Sequence, residues 1–167
     1  MNHTKGLETM AILEKITEDI KVAMKAGEKE RVNALRFLLA KIKDVGIYKN
    51  KQVTDDDAIS IIASSVKSRM EEIENYTKGN RPDLVRKEEQ DIKWIKIYLP
   101  EALTPEALEA VIKETMAEAQ ALGPKDTGKV MKLLMPKVKG KADGKAVNEA
   151  VGKMLAALVP AQESEGE

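Results

Sequence analysis

The stretch of the chain with most chemical promise is Gly123-Pro-Lys-Asp-Thr-Gly128-Lys129-Val130. Two glycines bracket four residues and a lysine follows, which is the spacing of a loop that cradles phosphates. The next residue should be Ser or Thr, whose hydroxyl ligates Mg²⁺, and here it is Val130. Such a loop also follows a β-strand, whereas the preceding residues carry a helical pattern. The stretch therefore reads as the stop of one helix and the start of the next.

Other constellations fail on similar grounds. His3 is the only histidine and precedes the first apolar stripe, so no Ser-His-Asp or histidine-metal site can be assembled. Cysteine is absent, which removes thiolate nucleophiles, disulfides and Cys-type metal sites together. Glu71-Glu72 and Glu88-Glu89 are sequence neighbours, and neighbours diverge by about 100° on a helix, so neither makes an acid/base pair unaided. Asp55-Asp56-Asp57 sits at an expected helix start, where negative charge favours the macrodipole, and lacks the ligand spacing of a calcium loop. Glu89 with Lys93, Glu109 with Lys113 and Glu149 with Lys153 are ordinary i,i+4 surface pairs. No catalytic residue, metal site or cofactor follows from these residues.

What does stand out is charge. The chain is neutral overall, but Lys125 to Lys153 hold 8 basic and 3 acidic side chains. Lys125, Lys129, Lys132, Lys137, Lys139, Lys141, Lys145 and Lys153 crowd this segment, and Lys137, Lys139 and Lys141 alternate through the loop before the last helix. A local basic field attracts polyanions even on a neutral protein. The N-terminus of the last helix adds backbone N–H donors and a positive dipole end, which suits a phosphate. The plain alternative is a solvated lysine-rich face. The segment has no aromatic residue, so it cannot stack bases; an RNA partner would be read by backbone position and shape.

Helices must position these lysines. Ala, Leu, Ile, Met, Glu and Lys dominate, and aromatics are only 3% of the chain. Leu13, Ile16, Ile20 and Ala23 form one stripe at helical spacing, and Val32, Leu35, Leu38, Leu39 and Ile42 the next. Ile59, Ile62, Val66, Met70 and Ile73 follow, then Val85, Ile92, Ile95 and Leu99. Beyond Pro100 come Leu108, Val111, Ile112, Thr115, Ala119 and Leu122. A short sixth helix holds Val130, Met131, Leu134 and Met135 and is limited by Pro136. A last one holds Val147, Val151, Met154, Leu155 and Leu158.

The boundaries are chemical. Gly27 breaks the first stripe from the second. Thr54 with Asp57, Thr104 before Pro105, and Asp143 are expected N-caps. Lys78-Gly79-Asn80-Arg81-Pro82 and Gly140-Lys141-Ala142-Asp143-Gly144 are expected turns. The expected class is all-α, with a larger four-helix N-terminal module over 10–99 and a small three-helix C-terminal module over 104–159. Residues 1–9 and 160–167 are expected to be flexible ends, and Met10 is a candidate start of the fold. No stretch nears the ~20 apolar residues a membrane helix needs, and no apolar signal core opens the chain. A cytoplasmic protein is expected.

The residues also carry a resemblance. GKVMKLLMPKVKGKADGKAVNEAVGKML, and above all the Gly140-Lys141-Ala142-Asp143 loop with Val147-Asn148-Glu149, resembles the signature of the GatB/YqeY family. ENYTKGNRPDLVRKEEQDIKWIKIYLPEALTPEALEAVI and AGEKERVNALRFLLAKIKDVGI are similar to free-standing YqeY-like members, so the resemblance covers Met10 to Val159. The family often has glycine where this chain has Lys132. The resemblance implies a helical N-terminal part and a small helical C-terminal part. It also implies kinship with the tail of the B subunit of the tRNA-dependent amidotransferase. That enzyme amidates misacylated tRNA with glutamine and ATP, and its tail helps hold the tRNA.

A tRNA-associated binding module, non-catalytic by itself, is the expectation. Lys125, Lys129, Lys132, Lys137, Lys139, Lys141, Lys145 and Asn148 are its candidate RNA contacts. Neither a DNA partner nor a membrane is expected. Two alternatives stay open. One is a protein–protein adaptor for an amidotransferase or an aminoacyl-tRNA synthetase, working through apolar patches or a Met-lined groove. The other is a component of an amidotransferase-type carbon–nitrogen ligase with glutamine as amide donor.

Overall fold

The structure is a computed structural model that describes residues 11–159. His3, Met10 and the final 160–167 segment lie outside the described residues. Every regular element among the described residues is helical. No helix among them is long and apolar enough to cross a membrane. The chain divides between Pro100 and Glu101 into two compact units.

The first unit holds α1 (Ala11–Lys25), α2 (Lys29–Lys49), α3 (Asp55–Lys78) and α4 (Pro82–Lys96). Gly27, at φ +73°, takes the left-handed conformation that lets the chain reverse between α1 and α2. The α3 start is a full capping box: Thr54 Oγ1 accepts from the Asp57 N–H, and the Asp57 carboxylate accepts from the Thr54 N–H. Ile16, Leu35, Ile42, Ile62 and Ile95 are fully buried at the centre of the unit's core.

One stripe differs from its expected phase. The buried line of α4 runs through Glu88, Asp91 and Ile95 and on to Tyr98, while Val85, Ile92 and Leu99 are half-buried. The two carboxylates are in the core line because Arg69 of α3 meets them there. Arg69 Nη1 donates to Asp91 Oδ2 at 2.8 Å and also to Glu88 Oε2. Met70 of α3 is exposed, because Arg69 takes the inward position beside it. Below this polar layer Tyr98 Oη donates to Asp19 Oδ2 at 2.5 Å, joining the end of the α3–α4 hairpin to α1.

The second unit holds α5 (Pro105–Glu118), a 3-10 turn at Pro124–Asp126, α6 (Thr127–Val138) and α7 (Gly144–Ala156). Thr104 caps α5, its hydroxyl accepting from the Ala107 N–H, and Pro105 occupies the first turn. Ile112, Val130, Leu134, Val138, Val147, Val151 and Leu155 form the core. Two expectations are corrected. The chain leaves α5 at Gln120, whose φ is +51°, so Leu122 lies past the helix and is 83% exposed. Pro136 sits inside α6 rather than limiting it. It removes one N–H from the ladder, and the apolar line Val130, Leu134, Val138 carries the helix past it.

Candidate nucleic-acid interface

The second unit places all the lysines of the basic segment. The Val130, Leu134, Val138 line faces the core, so residues half a turn away face solvent. Lys129 and Lys132 occupy that solvent face and are exposed. Lys139, at the C-cap, is seven residues beyond Lys132 and on the same line of the helix, about 10 Å further along the axis. Lys125 is exposed in the 3-10 turn.

Gly140 turns the chain with φ +72°. Lys141 follows, half-buried, with its backbone tied on both sides. Its carbonyl accepts from the Leu103 N–H at 2.8 Å, and its N–H donates to the Val138 carbonyl at 2.9 Å. Lys145 and Asn148 are one turn apart on the exposed face of α7, with Glu149 beside them. Lys153 is exposed near the end of α7. Among the described residues, none of Lys125, Lys129, Lys132, Lys139, Lys141 and Lys145 has a carboxylate within ion-pair distance.

Two members of the expected site are arranged differently. Lys137 turns back toward α5, where its Nζ lies 2.6 Å from Glu118 Oε2 and 3.3 Å from Thr115 Oγ1. The cause is helical phase: Lys137 is seven residues after Val130 and three after Leu134, so it falls beside the apolar line. The start of α7 is also already engaged. Asp143 Oδ1 accepts from the Lys145 N–H at 2.9 Å and from the Ala146 N–H at 3.2 Å. Those backbone donors serve the cap, so the side chains of Lys139, Lys141 and Lys145 supply the positive field at this turn.

The Gly123–Lys129 stretch does not form a phosphate loop. A helix, α5, precedes it, and Gly123 is extended, with φ 171°. A Cβ on Gly123 would meet Val159 Cγ2 at 2.9 Å, so this glycine allows close packing against the residues that follow α7. Asp126 accepts from the Leu122 N–H and closes the turn. Among the described residues no three His, Cys, Asp or Glu side chains converge as a metal site.

Comparison with known proteins fits this architecture. The family model of the YqeY-like proteins matches residues 13–155, and the chain belongs to that family. Similar proteins include "Altered inheritance of mitochondria protein 41, mitochondrial" of Pyrenophora tritici-repentis, 27% identical over 87% of this chain and 82% of that protein. The protein of that name from Lachancea thermotolerans is 37% identical over 64% of this chain and 54% of its own length. The one from Vanderwaltozyma polyspora is 33% identical over 59% and 53%. The match spans about half the length of the latter two relatives.

Proposed function

We propose that this YqeY-like chain is a tRNA-associated binding module that does no bond-making of its own. The observation that carries the reading is the cationic line of α6. Lys129 and Lys132 stand exposed on the solvent face of α6 and the half-buried Lys139 follows at its C-cap, with no carboxylate in ion-pair range among the described residues. Lys141 and Lys145 continue the field past the Gly140 turn. Ammonium groups at such spacings contact phosphates of a folded backbone, and without aromatic neighbours they read position and shape.

The test is tRNA binding by fluorescence anisotropy across a salt series. A steep fall of affinity with salt is expected for the wild-type chain. Replacing Lys129, Lys132, Lys139 and Lys145 together by alanine should weaken binding and flatten the slope. Unchanged affinity in that variant defeats the assignment.

Leu122, largely exposed beyond α5, favours the adaptor reading as the second choice. An amidotransferase or aminoacyl-tRNA synthetase that is retained after ribonuclease treatment, and lost with Leu122→Ser, would move the assignment there. A glutamine-dependent ligase activity is checked by offering the purified chain misacylated tRNA, glutamine and ATP. A cytoplasmic setting belongs to the same proposal, and the relatives' names make mitochondria its competitor. Cell fractionation separates the two.

A further inference from the structure

The first unit carries a cleft of about 1000 Å³ between α2, α3 and α4. Phe37 and Trp94 line it together with Arg69, Glu88 and Asp91. Glu88 and Asp91 are only 8% and 9% exposed. Each gives one carboxylate oxygen to Arg69 Nη1. Every fully buried side-chain nitrogen or oxygen among the described residues has a partner. Among the described residues the second oxygen of each carboxylate accepts no hydrogen bond, and both residues line the cleft.

One guanidinium thus serves two carboxylates, and the buried group is one positive charge short. Burial pushes the Asp91 carboxyl above its ordinary range against the pull of Arg69, and the charge of Glu88 adds to the rise. The aromatic wall also accepts cations: Lys41 Nζ already lies 5.2 Å from the centroid of the Phe37 ring. A phosphate or carboxylate ligand would meet the open oxygens of Glu88 and Asp91 and be repelled. Lys41, Arg86 and Lys87 stand around the same opening and disfavour a ligand carrying many positive charges.

We propose that this cleft receives an organic monocation, a guanidinium or primary ammonium on an alkyl stem, held by Glu88 and Asp91 and flanked by Phe37 and Trp94. The carboxylates supply charge-assisted hydrogen bonds and the rings cover the stem. The cation can belong to a free amine or to a side chain of a protein partner. The proposal is independent of the lysine surface of the second unit and goes beyond it.

Trp94 is the only tryptophan of the chain, so its emission reports the cleft directly. The full chain is titrated with n-butylamine, a monocation at neutral pH, and with a short neutral-ended peptide carrying one arginine. A saturable change in Trp94 emission is expected with at least one of them. Tighter binding of n-butylamine identifies a free amine, and tighter binding of the peptide identifies a partner's side chain. Glu88→Gln with Asp91→Asn should weaken binding about tenfold or more.

The exposed Lys87 gives a variant that leaves the core alone. Lys87→Met removes positive charge near Asp91 and should tighten cation binding several-fold. No saturable response to either probe at millimolar concentration, or weaker cation binding by Lys87→Met, overturns the proposal.

Discussion

Lys137 of α6 and Glu118 of α5 form an ion pair at 2.6 Å inside the second unit, so the basic segment has one cation already engaged at home. The pair is partly exposed, at 34% and 52% for the two side chains, which places its contribution to stability at the modest end. Its larger consequence is for recognition: the lysines of one short segment fall into different roles.

Lys137→Ala should therefore leave tRNA affinity within about twofold of wild type and its salt dependence nearly unchanged. Lys129→Ala and Lys132→Ala should each lower the salt slope by about one. Anisotropy titrations of the three single variants at four or more salt concentrations decide this. Equal losses at all three positions would contradict the division.

Arg69→Met should be among the most damaging substitutions in the first unit. It leaves Glu88 and Asp91 buried without their shared cation, at a cost of about 3–5 kcal/mol. Adding Glu88→Gln and Asp91→Asn to the same chain should recover most of that loss. Urea unfolding followed by Trp94 emission and by circular dichroism measures both.

The α3 cap gives a pH signature. The Thr54 backbone N–H, with the Thr54 hydroxyl and Lys51, holds the Asp57 carboxyl well below its ordinary value of 3.8. A depressed folded-state pKa adds stability that is complete above the unfolded value and fades as pH falls below it. Thr54→Ala should cost about 1 kcal/mol at neutral pH. The difference from wild type should shrink below pH 3.8, and thermal melts across that range test it.

Gly46, near the end of α2, is a packing glycine. A Cβ there would lie 2.7 Å from Val53 Cγ2 and 3.2 Å from the Lys51 carbonyl oxygen. Val53 is buried in the core, so its side chain has little room to yield. Gly46→Ala should destabilise by about 1–3 kcal/mol, and Val53→Ala should partly rescue it. Chemical denaturation of the single and double variants reads the coupling.

Much of the helical pattern is legible in the sequence because each helix must bury one apolar line. Ile16, Leu35, Ile62, Leu134 and Val151 fall where three- and four-residue spacing puts them. Thr54, Thr104 and Asp143 are equally legible as caps, since side-chain acceptors at helix starts meet local donors.

The Arg69 layer is not legible in that way. Periodicity reports which side chains share a face, and it cannot match charges across a hairpin whose members are 19 and 22 residues apart. One clue was present: Glu88 and Asp91 stand seven and four residues before Ile95, inside the spacing of a core line. The same clue, a lysine in phase with Val130 and Leu134, marks Lys137 as inward-turning. For the basic surface, sequence gives the number of ammonium groups, and only the helix faces assign them to solvent, cap or ion pair.

The charged layer within the α3–α4 hairpin also fixes the alignment of its two helices. Sliding α4 by four residues would set Arg69 against Leu84 and Lys87, or against Ile92 and Ile95, in place of Glu88 and Asp91. Either slip strands ionised groups against hydrocarbon, whereas an all-leucine seam would tolerate it. The antiparallel pair is keyed to one position, and the spacing between Phe37 on α2 and Trp94 on α4 is keyed with it.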